Sequence, residues 1–153
     1  MAEFRRFSGE ARPSQTGLCL VHLLSGLQTF LLIIPLRHNY LKGVLDSSEQ
    51  LSNVFVFIHI SQRDWARNGV ACQAFMDLIA SYKNVRATFH GHDHDLDGLM
   101  VYRTKPFLWA GHFGGSWGNP FPSYRVCEVG EDGKAVTYLK TIKEGMLLNQ
   151  HPL

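Results

Sequence analysis

Cysteine is scarce in this chain. Three are spread along 153 residues, at Cys19, Cys72 and Cys127, with no C-x-x-C pair. An odd number at such spacing argues against a disulfide framework and against a cysteine zinc site. The three read as reduced thiols in a reducing compartment, which makes the cytoplasm the expected location. Charge of one sign is also scarce: 15 Lys and Arg face 13 Asp and Glu, a formal balance of +2. The basic residues are scattered apart from a few near the N-terminus. That is too little for a nucleic-acid surface, so no nucleic-acid partner is expected. Internal repeats and low-complexity segments are absent from the sequence.

A clean membrane-length apolar run is missing as well. The stretch 17–34 follows Arg5, Arg6 and Arg12 in the manner of a signal peptide or membrane anchor. But His22, Ser25, Gln28 and Thr29 interrupt it, no small-x-small cleavage site follows, and Pro35, Arg37 and His38 end it. A membrane-associated or secreted protein is the alternative reading of this stretch. The preferred reading is a buried helix followed by a buried strand, Thr29 to Ile34. Residues 1 to 16 read as a polar, mobile lead.

What is present is enough for one globular domain with a real core: 45% of residues are hydrophobic and 18% charged. Asn39 to Gly43 reads as a loop, and Asp46-Ser47-Ser48-Glu49-Gln50 as a helix start of the capped type. That helix would be unusually short, because Asn53 leads straight into an apolar run, Val54 to Ile60. The run lacks alternation through Ile58, as a strand buried on both faces would. Ala71 to Tyr82 is the clearest helix, with Ala71, Phe75, Leu78, Ile79 and Tyr82 on one apolar face. Phe75 and Met76 are packing residues and carry no site. Val85 to Phe89 alternates as a half-buried strand. Pro106 to Ala110, Tyr124 to Val129 and Ala135 to Ile142 read as further strands. The last two are joined by Gly130-Glu131-Asp132-Gly133 as a hairpin. The order predicts an α/β fold with a mixed β-sheet layer and a flanking helix.

The segment Phe89-His90-Gly91-His92-Asp93-His94-Asp95 places three histidines and two aspartates within seven residues. Imidazole and carboxylate are metal ligands once deprotonated. In extended chain, residues i and i+2 share a side, so His92 and His94 would aim at one site and Asp93 away from it. Gly91 removes a side chain where the backbone must turn or approach an ion. Asp93, Asp95 or Asp97 would orient a ring from behind. His59, near the end of the apolar strand, stands where α/β sheets carry functional groups. The bland reading of His59, and of His22, His90 and His112, is a hydrogen-bonded core or surface histidine. Trp65, Trp109, Trp117 and Phe121 either line a pocket or pack.

Gly91-His92-Asp93-His94, following a strand that ends in His59 with a helix between them, resembles the C-terminal half of the calcineurin-like metallophosphoesterases. So do Ser48-Glu49-Gln50-Leu51 and the later segment from Trp109 to Trp117 with Tyr124 to Val129. The resemblance implies half of an α/β/β/α sandwich, with residues 1–28 unassigned and 29–153 a partial phosphoesterase domain. It implies that His59 and His92 bind one divalent metal (Mn, Fe or Zn) and His94 another, and that the substrate is a phosphate mono- or diester. The family's Asp-x-His, Gly-Asp-x-x-Asp and Asn-His-Glu motifs have no counterpart in this sequence, so no catalytic residue is assigned. Against the family pattern, a segment is also expected to be missing between Leu51 and Val54. Two readings stay open: a phosphoesterase that needs the missing half supplied, or an inactive metal-binding or interaction module. The open sheet edge left by a half-fold would invite self-association or a partner chain.

Overall fold

A computed structural model describes residues 2–6, 18–23, 30–62, 66–115 and 117–153, with side chains described from His38 onward. Trp65 and Ser116 lie outside the described residues, as does most of the 1–16 lead. Two sheets organise the chain. One has five strands in the order β2 (Leu18–Leu23), β3 (Asn53–Ile58), β4 (Val85–His90), β6 (Lys105–Trp109), β5 (Leu99–Tyr102). Its first four strands are parallel, and β5 is antiparallel at the edge. The other has four strands, β1 (Ala2–Arg6), β7 (Ser123–Val129), β8 (Ala135–Thr141) and β9 (Leu147–Pro152). The helices are α1 (Phe30–Ser47) and α2 (Gln73–Ser81). The fold is α/β with a mixed sheet and flanking helices.

Two cores hold the layers. Leu41 and Leu45 of α1, with Phe75, Met76, Leu78 and Ile79 of α2, pack on Val54, Val56, Ile58, Phe107 and Trp109 of the five-stranded sheet. The opposite face of that sheet supplies Phe55, Ala87, Phe89 and Leu108, which meet Cys127 and Ala135 of the second sheet. Phe55 and Phe89 sit 6.1 Å apart in that layer. Burying a side chain of this size stabilises the fold by about 1.5–3 kcal/mol. The strand β3 feeds both cores, which is why its apolar run shows no alternation.

Several expectations are corrected. Thr29 to Ile34 is not a strand: from Phe30 the backbone is helical, and the helix continues through Pro35 and the supposed loop Asn39 to Gly43. A short apolar run fits a buried strand or a buried helix equally well. The spacing of Leu41 and Leu45, four apart with exposed Tyr40 and Lys42 beside them, carried the helical signal. The preceding apolar residues, read as a helix, contain β2 instead. The Asp46 to Gln50 segment ends a helix rather than starting one. Ser47 Oγ and Ser48 Oγ both donate to Val44 O, and Gln50 Nε2 donates to Ser47 O. The same polar residue types satisfy free carbonyls at a C-terminus as they satisfy amides at an N-terminus. Asn84 Nδ2 then ties Ser48 O and Leu51 O. Strand β3 begins directly after this turn, so nothing need be missing between Leu51 and Val54.

Strand β4 is not half-buried. It lies between β3 and β6, and Thr88 is as buried as Ala87. The helix read from Ala71 starts at Gln73, and Ala71 is exposed. Strands β1, β5 and β9 were not foreseen. The last two are edge strands with little burial alternation. No helix among the described residues is long and apolar enough to cross a membrane.

Candidate functional site

The site forms where β3 and β4 end. They run parallel with Phe57 beside Phe89, so His59 arrives next to Gly91, whose amide donates to His59 O at 3.1 Å. A Cβ on Gly91 would lie 3.0 Å from His59 Nδ1. Glycine here is what lets the two strand ends close. His92 Nδ1 and His59 Nε2 are then 3.3 Å apart, with the rings edge to face. Partial burial of the His59 ring, and next the positive fields of His92 and His94, lower its pKa, against a raising effect of Asp93. This favours the neutral form, which is the one that binds metal.

The cluster is not extended. His92 has φ +68°, in the left-handed region, and Asp93 N donates to Gly91 O at 2.8 Å. The alternation rule therefore fails, and His92 and His94 separate. His94 stacks between His112, at 5.7 Å, and Trp117, at 4.2 Å. Gly118 secures this stack: at φ +120° its missing Cβ would fall 2.6 Å from His94 O and 2.9 Å from the His112 ring. Asn119 N donates to His94 O, and His112 Nε2 bonds Asn119 O at 2.8 Å. Since that oxygen only accepts, His112 carries its proton on Nε2.

Asp93 turns away from the histidine pair in the expected sense, but into the protein rather than solvent. It is 1% exposed. Its Oδ1 accepts from Asn68 Nδ2 at 2.6 Å and from Asn68 N at 3.3 Å. His90 is a core histidine. It donates from Nδ1 to Ile58 O, stacks against Phe107 and Trp109, and burial pushes its pKa down to about 3. Of the described aromatic residues, Trp109 is core and packs on His90, Phe121 is half-buried, and Trp117 stacks on His94.

The structure thus brings together His59 and His92 and leaves His94 in a separate aromatic stack. Two imidazole nitrogens bound to one tetrahedral zinc at about 2.0–2.1 Å stand about 3.3–3.4 Å apart, so the pair has chelating separation. The same distance also suits one N–H···N hydrogen bond. Among the described residues, no group of three His, Cys, Asp or Glu is arranged to hold a metal ion.

Sequence reasoning missed Asn68 and Arg125. Arg125 is fully buried. Its Nε donates to Trp109 O at 3.0 Å, Nη2 to Asp97 O at 2.9 Å and Nη1 to Asn149 O at 3.4 Å. A signal was available: Arg125 stands in phase with Ser123 and Cys127 on the inward face of β7. Asn68 offered no comparable signal.

No family model and no curated protein matches the sequence. Solved structures of Vps29 from Entamoeba histolytica align with most of the chain. The wild type complexed with Zn+2 is 14% identical, with a TM-score of 0.39, over 89% of this chain and 97% of that one. A single mutant of the same protein gives the same identity and score over 89% and 98%. A likeness this distant carries no argument about the site.

Proposed function

We propose that this chain is a metallophosphoesterase-related, metal-binding module that takes up one divalent transition metal (Mn, Fe or Zn) through His59 and His92 and hydrolyses no phosphoester by itself. The 3.3 Å separation of His92 Nδ1 and His59 Nε2 carries this reading. The sequence motif Gly91-His92-Asp93-His94 supports the relationship. The same geometry argues against turnover. His94 is held in its stack, and among the described residues no carboxylate joins the pair to offset the charge of two cations. A bound metal would act as a Lewis acid on a phosphate oxygen. The described residues offer it two imidazole nitrogens and leave its other positions to water or to further ligands.

The experiment is metal uptake with parallel phosphatase and phosphodiesterase assays on the pure chain. We expect one weakly held ion per chain, lost in His59→Ala and in His92→Ala, retained in His94→Ala, and no turnover above metal in buffer. Gly91→Ala should also weaken uptake, because its Cβ displaces the His59 ring. Absence of uptake overturns the metal-binding reading. Robust turnover abolished by His92→Ala overturns the incomplete site and restores an enzyme acting on phosphate mono- or diesters.

A second reading, an interaction module, is favoured by the open edges at β5 and β9. Val101 and Leu147 are 56% and 58% exposed there, and an unpaired edge accepts a partner strand or a second copy. Free thiols at Cys72 and Cys127 fit a cytoplasmic setting.

A further inference from the structure

The end of the five-stranded sheet opposite the histidines holds an open pocket of about 440 Å³. It lies where β4 and β6 begin, and the six residues of β4 separate it from His90 by about 17 Å. Lys83, Arg86 and Lys105 contribute three positive charges to its lining, and Thr104 a hydroxyl. Leu99, Val101, Pro106 and Pro152 supply apolar walls, and no acidic side chain among the described residues lines it.

Only one of these charges meets an anion: Arg86 is paired with the carboxylate of Leu153, the last residue of the sequence. Lys105 is 7% exposed, and its ammonium donates only to the carbonyls of Val85, at 2.8 Å, and Lys83, at 3.2 Å. An ammonium has three donors, so one remains. Burial, and next the charge of Arg86, lower the Lys105 pKa. Arg86 gives Nη2 to Leu153 O, while its Nε is buried and meets no partner. Two cations therefore keep spare N–H donors at a pocket where three cations meet one carboxylate, that of Leu153, an arrangement that costs stability until a further anion enters.

We infer that this pocket is a second ligand site, for a small soluble molecule bearing a phosphate group. Three cations and the Leu153 carboxylate leave a net charge of two, which a phosphate dianion matches better than a second carboxylate does, and its several oxygens can take donors from Arg86, Lys105 and Thr104 at once. The apolar walls would face the remainder of the ligand.

The test is a titration of the isotope-labelled full chain with inorganic phosphate and with pyrophosphate, followed by amide and arginine Nε resonances. Saturable shifts at Arg86 Nε and at the amides of Val85, Thr104 and Lys105 are expected, weakened by added salt. His59 and His92 should not respond. Lys83→Glu, an exposed change that leaves the core alone, should weaken binding about tenfold, and Arg86→Gln at least as much. No saturation by roughly 10 mM, shifts centred on His59 and His92, or affinity unchanged in both variants would each overturn the site. Recruitment to anionic phospholipid vesicles without any response to the soluble anions would overturn the soluble-ligand assignment.

Discussion

Replacing Arg125 by Met tests how the site is held. The guanidinium joins three places: the end of β6 through Trp109 O, the loop after the histidine cluster through Asp97 O, and β9 through Asn149 O. At 3.0 and 2.9 Å the first two bonds are good, while the third, at 3.4 Å, is weak. A net hydrogen bond to a charged donor contributes about 1.5–3 kcal/mol, so the two good bonds contribute about 3–6 kcal/mol. Methionine fills much of the same volume and removes a buried charge that meets only carbonyls, which returns a few kcal/mol. Asp97 O also keeps the bond from Asn149 Nδ2 at 3.1 Å. A net loss of about 2–3 kcal/mol follows. For a chain of this length that is a drop of about 4–12 °C in Tm, read by thermal melting. Burial lowers the Arg125 pKa to about 10. The group is therefore charged in both folded and unfolded chains below that pH; since its charge also helps lower the His151 pKa, the loss should be constant only above the titration of that histidine, from about pH 7.5 to pH 9. Amide exchange at Gly111, whose N–H donates to Leu96 O, should accelerate as the loop loses its anchor. A Tm within about 2 °C of the parent chain would refute the reasoning.

Two further outcomes are expected. Gly118→Ala puts a Cβ 2.6 Å from His94 O at φ +120°, so it should cost about 2 kcal/mol or more and unstack Trp117, visible as a changed tryptophan emission; parent-like stability and emission would contradict the packing described. In the native chain iodoacetamide should label Cys72 and spare Cys127, whose thiol is fully buried and pushed up to about 12; mass analysis showing equal labelling of the two would contradict that burial.

The features legible in the sequence are those set by short-range chemistry. The β3 run, the α2 face and the β7–β8 hairpin all announced themselves by periodicity or turn residues. Those that failed depended on tertiary context. The residues from Phe30 to Ile34 have no periodicity that distinguishes strand from helix, and their continuation through Pro35 defied a local stop signal. The Asp46 to Gln50 segment carried correct capping chemistry for the wrong end of the helix. In the site, the pairing of His59 with His92 was expected only through the family resemblance; the parallel strands and Gly91 bring the two rings within 3.3 Å. The departure of His94 was not foreseen, since it follows from a left-handed turn at His92, which a non-glycine residue rarely adopts.

That turn decides what the histidine segment can do. Had the chain stayed extended from Gly91 to His94, both imidazoles would have faced one site beside His59, and three nitrogens could have met one or two ions. The positive φ at His92 instead spends one residue on reversing the backbone. Asp93 goes inward to Asn68, and His94 goes to His112 and Trp117. Each displaced side chain is held by a separate contact, and Gly118 locks the stack from the far side. Recruiting His94 to the His59–His92 pair would therefore require breaking the turn and the stack together. A ligand that binds only the pair gives no free energy for that change, because a state is favoured only by differential affinity for it. The structure holds the His59–His92 pair in place, and among the described residues no third His, Cys, Asp or Glu is arranged to join it.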